Sequence, residues 1–273
     1  MQRRKKRLNT MTKILKDIKE IAHHREVLWN ITMREIKVKY KQSILGILWA
    51  VLQPLSMMAI FTIIFSRFIK MPSDGIPYPI FSFAALLPWV FFSNSIMTSA
   101  SSIVSNMNLL NKIYFPREIF PIASILAAFV DFCIAGCIFM AMLIFYKIHI
   151  TLNILYLIPI LLLEIGFILA ISLFVGAANV YYRDVRYVIP LVTQLWMYAS
   201  PVIYPVSIVP QHLRPLYMLN PMAFIIDSYR KVLVLGVAPD WSYLGFVSIA
   251  TIILLWLAYT FFKKIEMSFA DVI

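Results

Sequence analysis

Residues 179–205 read NVYYRDVRYVIPLVTQLWMYASPVIYP, and they decide how the rest of the chain is understood. The stretch begins polar, with Arg183, Asp184 and Arg186. It then stays apolar for about one bilayer thickness, roughly 20 residues of helix. It closes on Pro201, Tyr204 and Pro205. This is the pattern of a charged entrance, an aromatic-walled span and a broken far end.

The composition agrees with a membrane protein. Of 273 residues, 61% are hydrophobic and 14% charged, and the mean hydropathy is +0.81. A soluble domain of this length cannot hide so much apolar surface, so the bilayer must be its solvent. With 7 glycines and 15 prolines the chain is not of low complexity, and it shows no internal repeat. The formal charge of +12 raises the question of nucleic acid. Its distribution argues against that partner. Arg3, Arg4, Lys5, Lys6 and Arg7 begin a basic region that continues to Lys41, just before the first apolar run. Such clusters mark the cytoplasmic side of a first span and attract anionic lipid. No cleavable leader is expected, because no apolar run follows the basic N-terminus directly.

The expected fold is all-α, with six membrane spans at about 44–67, 80–104, 119–146, 154–178, 187–204 and 243–262. Residues 1–43 are expected to form a cytoplasmic basic tail and interfacial helices, and 44–273 the membrane domain. Met11, Ile14, Leu15, Ile18 and Ile21 recur at helical spacing, which suits a helix lying in the interface. Pro54 is expected to kink the first span. Residues 108–121, NLLNKIYFPREIFP, are too polar and proline-rich to cross. Between Pro205 and Trp241 no full-length apolar run occurs. There Asn220 before Pro221 predicts a helix start and Gly236 a stop. This short helix, with Met222, Ile225, Ile226, Tyr229 and Leu233 on one face, predicts a re-entrant element packed against protein. Six spans put both termini on one side. With that side cytoplasmic, 19 of the 25 basic residues lie inside, as orientation by positive charge requires.

Candidate chemistry is sparse. No GxxxxGK[ST] loop occurs, so the chain is not expected to hydrolyse ATP alone. Cys133 and Cys137 stand at i,i+4 in an apolar segment without further ligands, and read as small buried residues. No metal site is expected. His23, His24, His149 and His212 are not paired with a nucleophile at recognisable spacing. Asp131 and Glu164 fall inside spans, where carboxylates are costly and mark function by default. Each lies in the first half of its span, so hydrogen bonding between helices explains them as well. Trp89, Phe91, Phe92, Tyr181, Tyr182, Trp196, Tyr198 and Tyr204 concentrate around two spans. Their faces can stack on sugar C–H groups, and their N–H and O–H groups can bond sugar hydroxyls. By composition alone an aromatic belt at the membrane boundary is the stronger reading. The cluster Arg34, Lys37, Lys39, Tyr40 and Lys41 suits a diphosphate at the cytoplasmic entrance, or equally anionic lipid.

Several of these stretches together carry a resemblance. They are MREIKVKYKQSILGILWAVLQPL, LLPWVFFSNS, NLLNKIYFPREIFP, NVYYRDVRYVIP, SPVIYP and LNPM, in that order. The chain resembles the transmembrane subunits of ABC-2-type polysaccharide exporters, which move O-antigen, teichoic acid and related polymers. The resemblance covers roughly residues 25–270.

It implies a homodimeric channel in the bacterial cytoplasmic membrane, working with two separate ATPase subunits that bind ATP and Mg. It implies a polyprenyl-diphosphate-linked polysaccharide as substrate. By the same match, the segment at about 108–118, with Asn111, Lys112, Tyr114, Phe115, Arg117 and Glu118, would couple to the ATPase. Arg183, Asp184 and Arg186 would lie near a cytoplasmic gate. Residues 205–236 would form re-entrant helices on the outer face. Two alternatives stay open: an exporter of small hydrophobic molecules or lipids, and a membrane transferase acting on lipid-linked sugars. The chain is not expected to be an enzyme by itself, nor to bind nucleic acid.

Overall fold

A computed structural model of the chain describes residues 16–17, 19–41, 43–110 and 115–266, with the side chains of residues 108 and 110 set aside. Among the described residues the fold is helical, without strands. Five helical stretches are long and apolar enough to cross a bilayer: Gly46–Phe68, Tyr78–Ser105, Ile119–Phe145, Leu152–Tyr181 and Trp241–Glu266. They coincide with the expected first to fourth and sixth spans to within a few residues.

The fifth expected span is the exception. Its helix, Val185–Tyr198, has 14 residues, about 21 Å of rise, against a hydrocarbon core of roughly 30 Å. Pro201 ends it. Proline offers no backbone N–H, and it pushes the residue before it out of helical conformation. The chain continues in turns, where the Val202 N–H bonds the Ser200 carbonyl at 2.7 Å. The six-span expectation therefore becomes five full-length helices and one short one.

We label the principal α-helices α1 (Arg25–Tyr40), α2 (Trp49–Phe61), α3 (Tyr78–Ser105), α4 (Ile119–Phe145), α5 (Leu157–Tyr181), α6 (Val185–Tyr198), α7 (Pro221–Arg230) and α8 (Trp241–Ile265). Helix α3 is the central post. It packs against α2, α4, α5, α6 and α7, and 78% of its most apolar window is buried. The comparable figure is 11% for the first span and 17% for α8, so those two are peripheral. Pro54 is accommodated inside α2. The helical ladder of that span widens to π-helical spacing further on, at Thr62–Phe68. Helix α1 does not lie apart from the bundle. It packs along α4, with Ile31 and Thr32 buried.

The short helix expected between Pro205 and Trp241 is present as α7. The Asn220 side chain accepts the Met222 N–H at 3.1 Å, and Pro221 occupies the first helical position. This N-cap and proline pairing needs no donor that the helix start lacks. Met222, Ile225, Ile226 and Tyr229 are completely buried, and Leu233 nearly so. After α7 the chain turns through π-helical Lys231–Leu235 and stops at Gly236, whose φ of +66° is left-handed.

A β-carbon at Gly236 would stand 2.8 Å from Thr151 Cγ2. Gly236→Ala is therefore expected to destabilise the fold, by on the order of 2 kcal/mol from backbone strain alone, plus that overlap. The check is thermal melting of the purified protein in detergent. Thr151→Ser in the same chain removes the nearest atom and is expected to restore part of the loss.

Candidate functional site

Helix α3 carries no charged residue between Tyr78 and Ser105. Nearly all of it is enclosed, yet one face is left open. Asn94, Thr98, Ser101 and Ser105 recur at i, i+4, i+7 and i+11 and are all partly or fully exposed, with Met97 and Val104 beside them. The Thr98 hydroxyl donates to the Asn94 carbonyl at 2.7 Å, and Ser101 to the Thr98 carbonyl at 3.3 Å. The backbone thus takes their donors and leaves oxygen lone pairs and the Asn94 amide facing out. The result is an uncharged track of hydroxyl and amide groups on the most buried of the five long helices.

Two helices packed on α3 also carry exposed side chains. On α6, Tyr187, Leu191, Leu195 and Tyr198 are 66%, 58%, 60% and 55% exposed, and Gln194 lies exposed among them. On α2, Gln53 is exposed. A small cavity of about 40 Å³ brings Gln53, Asn94, Lys39 and Asp131 together where α2, α3 and α4 meet the end of α1. That is room for one or two waters. Asn94 belongs to both the cavity and the track.

The expected aromatic wall is narrower than the sequence suggested. Trp89, Phe91 and Phe92 are buried. Phe92 stacks on Phe167 with ring centres 5.7 Å apart and meets Trp196 edge-on at 5.2 Å. Phe91 packs on Phe129 and Phe132. Those faces belong to helices of the same chain and are not offered to a second molecule. Trp196 is half-buried and donates its indole N–H to Asn220 Oδ1 at 2.9 Å. Tyr204 donates to the Tyr198 carbonyl at 3.0 Å and accepts from Tyr217. Tyr182 and Tyr198 are open, and Tyr181 sits beside the last turn of α8, its hydroxyl 3.4 Å from the Ile265 carbonyl.

The basic cluster divides in two. Arg34 bonds Asn106 Oδ1 at the end of α3 and lies 3.8 Å from Glu35. Lys39 and Tyr40 both bond the Asp131 carboxylate. Burial, reinforced by Asp131, pushes the Tyr40 hydroxyl far above the ordinary phenol range, so it stays a donor. Lys37 and Lys41 remain exposed. At the start of α6, Arg183 and Asp184 are exposed, while Arg186 lies over the Tyr187 ring at 4.6 Å and donates to its hydroxyl at 2.6 Å.

Both intramembrane carboxylates join helices. Asp131 holds α1 to α4. Glu164 is fully enclosed and accepts from Tyr229 at 2.7 Å, which ties α5 to α7. The cysteines differ from expectation. Cys133 and Cys137 are exposed, on the side of α4 turned away from Asp131 and Ala135. No cluster of metal-ligating residues exists among the described residues.

In the expected coupling segment, Asn111, Lys112 and Tyr114 lie outside the described residues. Phe115 is buried and meets Phe120 edge-on. Glu118, expected as an outward polar contact, is turned inward. It is 1% exposed and sits 2.5 Å from Lys263 Nζ at the end of α8. Burial, and then the neighbouring Glu266, push the Glu118 carboxyl up, and Lys263 pulls against that shift. Arg117 donates to the Glu266 carbonyl.

Long apolar helices packed around a buried central post are the build of an integral membrane protein. Residues 26–234 match the family described as ABC-2 type transporter, and the chain belongs to it. It is similar to the "O-antigen export system permease protein RfbA" of Myxococcus xanthus, 29% identical over 93% of this chain and 98% of that protein. The protein of the same name from Klebsiella pneumoniae is 28% identical over 91% and 95%. The "Polysialic acid transport protein KpsM" of Escherichia coli is 22% identical over 86% and 91%.

The Asp131 junction yields a prediction. Asp131→Leu removes the acceptor shared by Lys39 and Tyr40; the Lys39 side chain is 47% exposed, so water offsets part of the loss and the cost is about 1–2 kcal/mol. Hydrogen exchange over residues 25–40 is expected to rise sharply. Adding Lys39→Met is expected to change exchange little further, because Lys39 is half exposed and Tyr40 still lacks its acceptor.

Proposed function

We propose that this chain is the membrane subunit of a polysaccharide exporter, working as a pair of copies and powered by separate ATPase subunits. The observation that carries the reading is the uncharged hydroxyl and amide track on α3, in a member of this transporter family. A polymer that slides needs many weak, replaceable contacts along a path without fixed charges to hold it. Hydroxyl and amide oxygens, each worth about 0.5–1.5 kcal/mol per hydrogen bond, supply contacts of that size. Exposed Tyr187 and Tyr198 on α6 add flat faces for sugar rings. The names of the similar export permeases support the same substrate class.

In this reading the termini are cytoplasmic and the membrane is the bacterial cytoplasmic membrane. The exposed Lys37 and Lys41 receive a polyprenyl diphosphate, while Lys39 and Tyr40 hold α1 in place through Asp131. The ATPase binds ATP and Mg and pushes on the segment around residues 108–118. Glu118 and Arg117 pass that push to α8. The exposed Arg183, Asp184 and Arg186 then lie beside the path where the polymer enters. The second copy of the chain closes the track by covering the open faces of the first span and α6. A transferase reading is disfavoured because the enclosed carboxylates, Asp131 and Glu164, are engaged with Lys39, Tyr40 and Tyr229.

The test is transport into sealed vesicles holding the chain with and without its ATPase subunit. Polymer is expected inside only when both proteins and ATP are present, and transport by the chain alone would refute the proposal. Asn94→Leu, Thr98→Val and Ser101→Ala combined are expected to lower polymer transport about tenfold, with protein yield and ATP hydrolysis near parental values. Trp89→Leu is expected instead to lower the yield of folded protein.

A further inference from the structure

A second polar site lies at the opposite end of the bundle from the Arg34–Asn106 contact. Here the loop before α3, the segment after α6, the end of α7 and the start of α8 enclose a cavity of about 370 Å³. That is within the range of small-molecule sites, roughly 300–1,000 Å³. Its lining includes Arg214, Arg230 and Lys231, and also Asp74 and Asp227.

The lining holds three cations and two carboxylates, and Asp227 and Asp74 offset part of the Arg230 charge across the cavity, so one positive charge is left over. Asp227 is engaged with Lys231 at 2.8 Å. Asp74 accepts from the Ser207 hydroxyl at 2.8 Å. Arg230 is 4% exposed and bonds only backbone carbonyls, those of Phe81, Pro201, Val202 and Tyr204. Arg214 likewise bonds the carbonyls of Val209 and Ser207, at 2.9 and 2.8 Å. Carbonyls fix a guanidinium in place without cancelling its charge. Each guanidinium also has five N–H donors, so those bonds leave donors over on both. Phe81 lies 3.6 Å beneath Arg230 and prevents it from swinging away.

The cavity therefore presents preorganised positive charge next to groups that bond hydroxyls, namely Asp74, Ser207 and Tyr243. We propose that it binds an anionic group carried beside hydroxyls. Two sources share that chemistry, a glycerophosphate lipid headgroup and an acidic sugar unit. The site is separate from the α3 track, and the inference does not depend on the transport reading.

The experiment uses the full chain in phosphatidylcholine nanodiscs. In one arm the discs are prepared with and without phosphatidylglycerol, and retained lipid and melting temperature are measured. In the other, glycerol 1-phosphate, glucuronate and glucose are titrated calorimetrically into the phosphatidylcholine discs. Saturable binding in the first arm alone assigns the site to a lipid headgroup. Saturable binding of glucuronate in the second assigns it to a sugar acid, and in both cases glucose is expected not to bind. Arg214→Gln with Lys231→Gln is expected to weaken whichever binding is seen by at least tenfold. Lys231→Gln alone carries this test if the Arg214 change lowers melting. Binding of glucose equal to that of glucuronate, no saturable binding in either arm, or unchanged affinity in the variants would overturn the proposal.

Discussion

Inside a bilayer no water is available to satisfy a backbone amide or carbonyl, so chain that leaves the helical ladder must find partners within the protein. Most of this molecule meets the constraint by staying helical. The segment after α6 does not, because Pro201 stops the ladder and leaves carbonyls from 201 to 204 unclaimed. Arg230 answers that deficit from α7 at Pro201, Val202 and Tyr204 and bonds the Phe81 carbonyl as well, while the Tyr78 hydroxyl serves Ile203. A single side chain thereby joins α3, the turns after α6, and α7. Glu164 and Tyr229 repeat the principle one residue away, fixing the same helix to α5.

This arrangement lets a short helix be buried as deeply as the long ones. Helix α7 contributes Met222, Ile225, Ile226 and Tyr229 to the same core as the rings of Phe83 and Phe92. The interior around α3 is consequently rich in aromatic rings, and the open face of that helix carries Asn94, Thr98, Ser101 and Ser105. The hydrophobic effect does not drive helices together in lipid, so packing and interhelical bonds carry the association. Asp131 with Lys39 and Tyr40 is such a bond, and it brings α1 onto the bundle.

Much of this was legible from the chain. Length and hydropathy located five spans, because a continuous apolar run has few other uses. Asn220, Pro221 and Gly236 marked the start of α7 and the stop after it, since capping chemistry is local. What failed to show was the side to which residues point. Trp89, Phe91 and Phe92 carry aromatic rings whether they face a channel or a core, and α3 is too uniformly apolar for periodicity to choose. The open face became visible only through its neighbours, although Asn94, Thr98, Ser101 and Ser105 already formed a helical stripe in sequence. Cys133 and Cys137 misled for the same reason: small residues suit a core and a lipid-facing surface alike. Glu118 looked like a surface charge because its partner, Lys263, is far away in sequence.

That partner has a mechanical consequence. Glu118 with Lys263, Arg117 with the Glu266 carbonyl, and Tyr259 with Asp17 clamp three distant parts of the chain into one yoke. A load applied at residues 115–118 cannot bend α4 alone. It drags the base of the last helix and the N-terminal helical segment along with it, so leverage at one end is spread around the rim of the bundle.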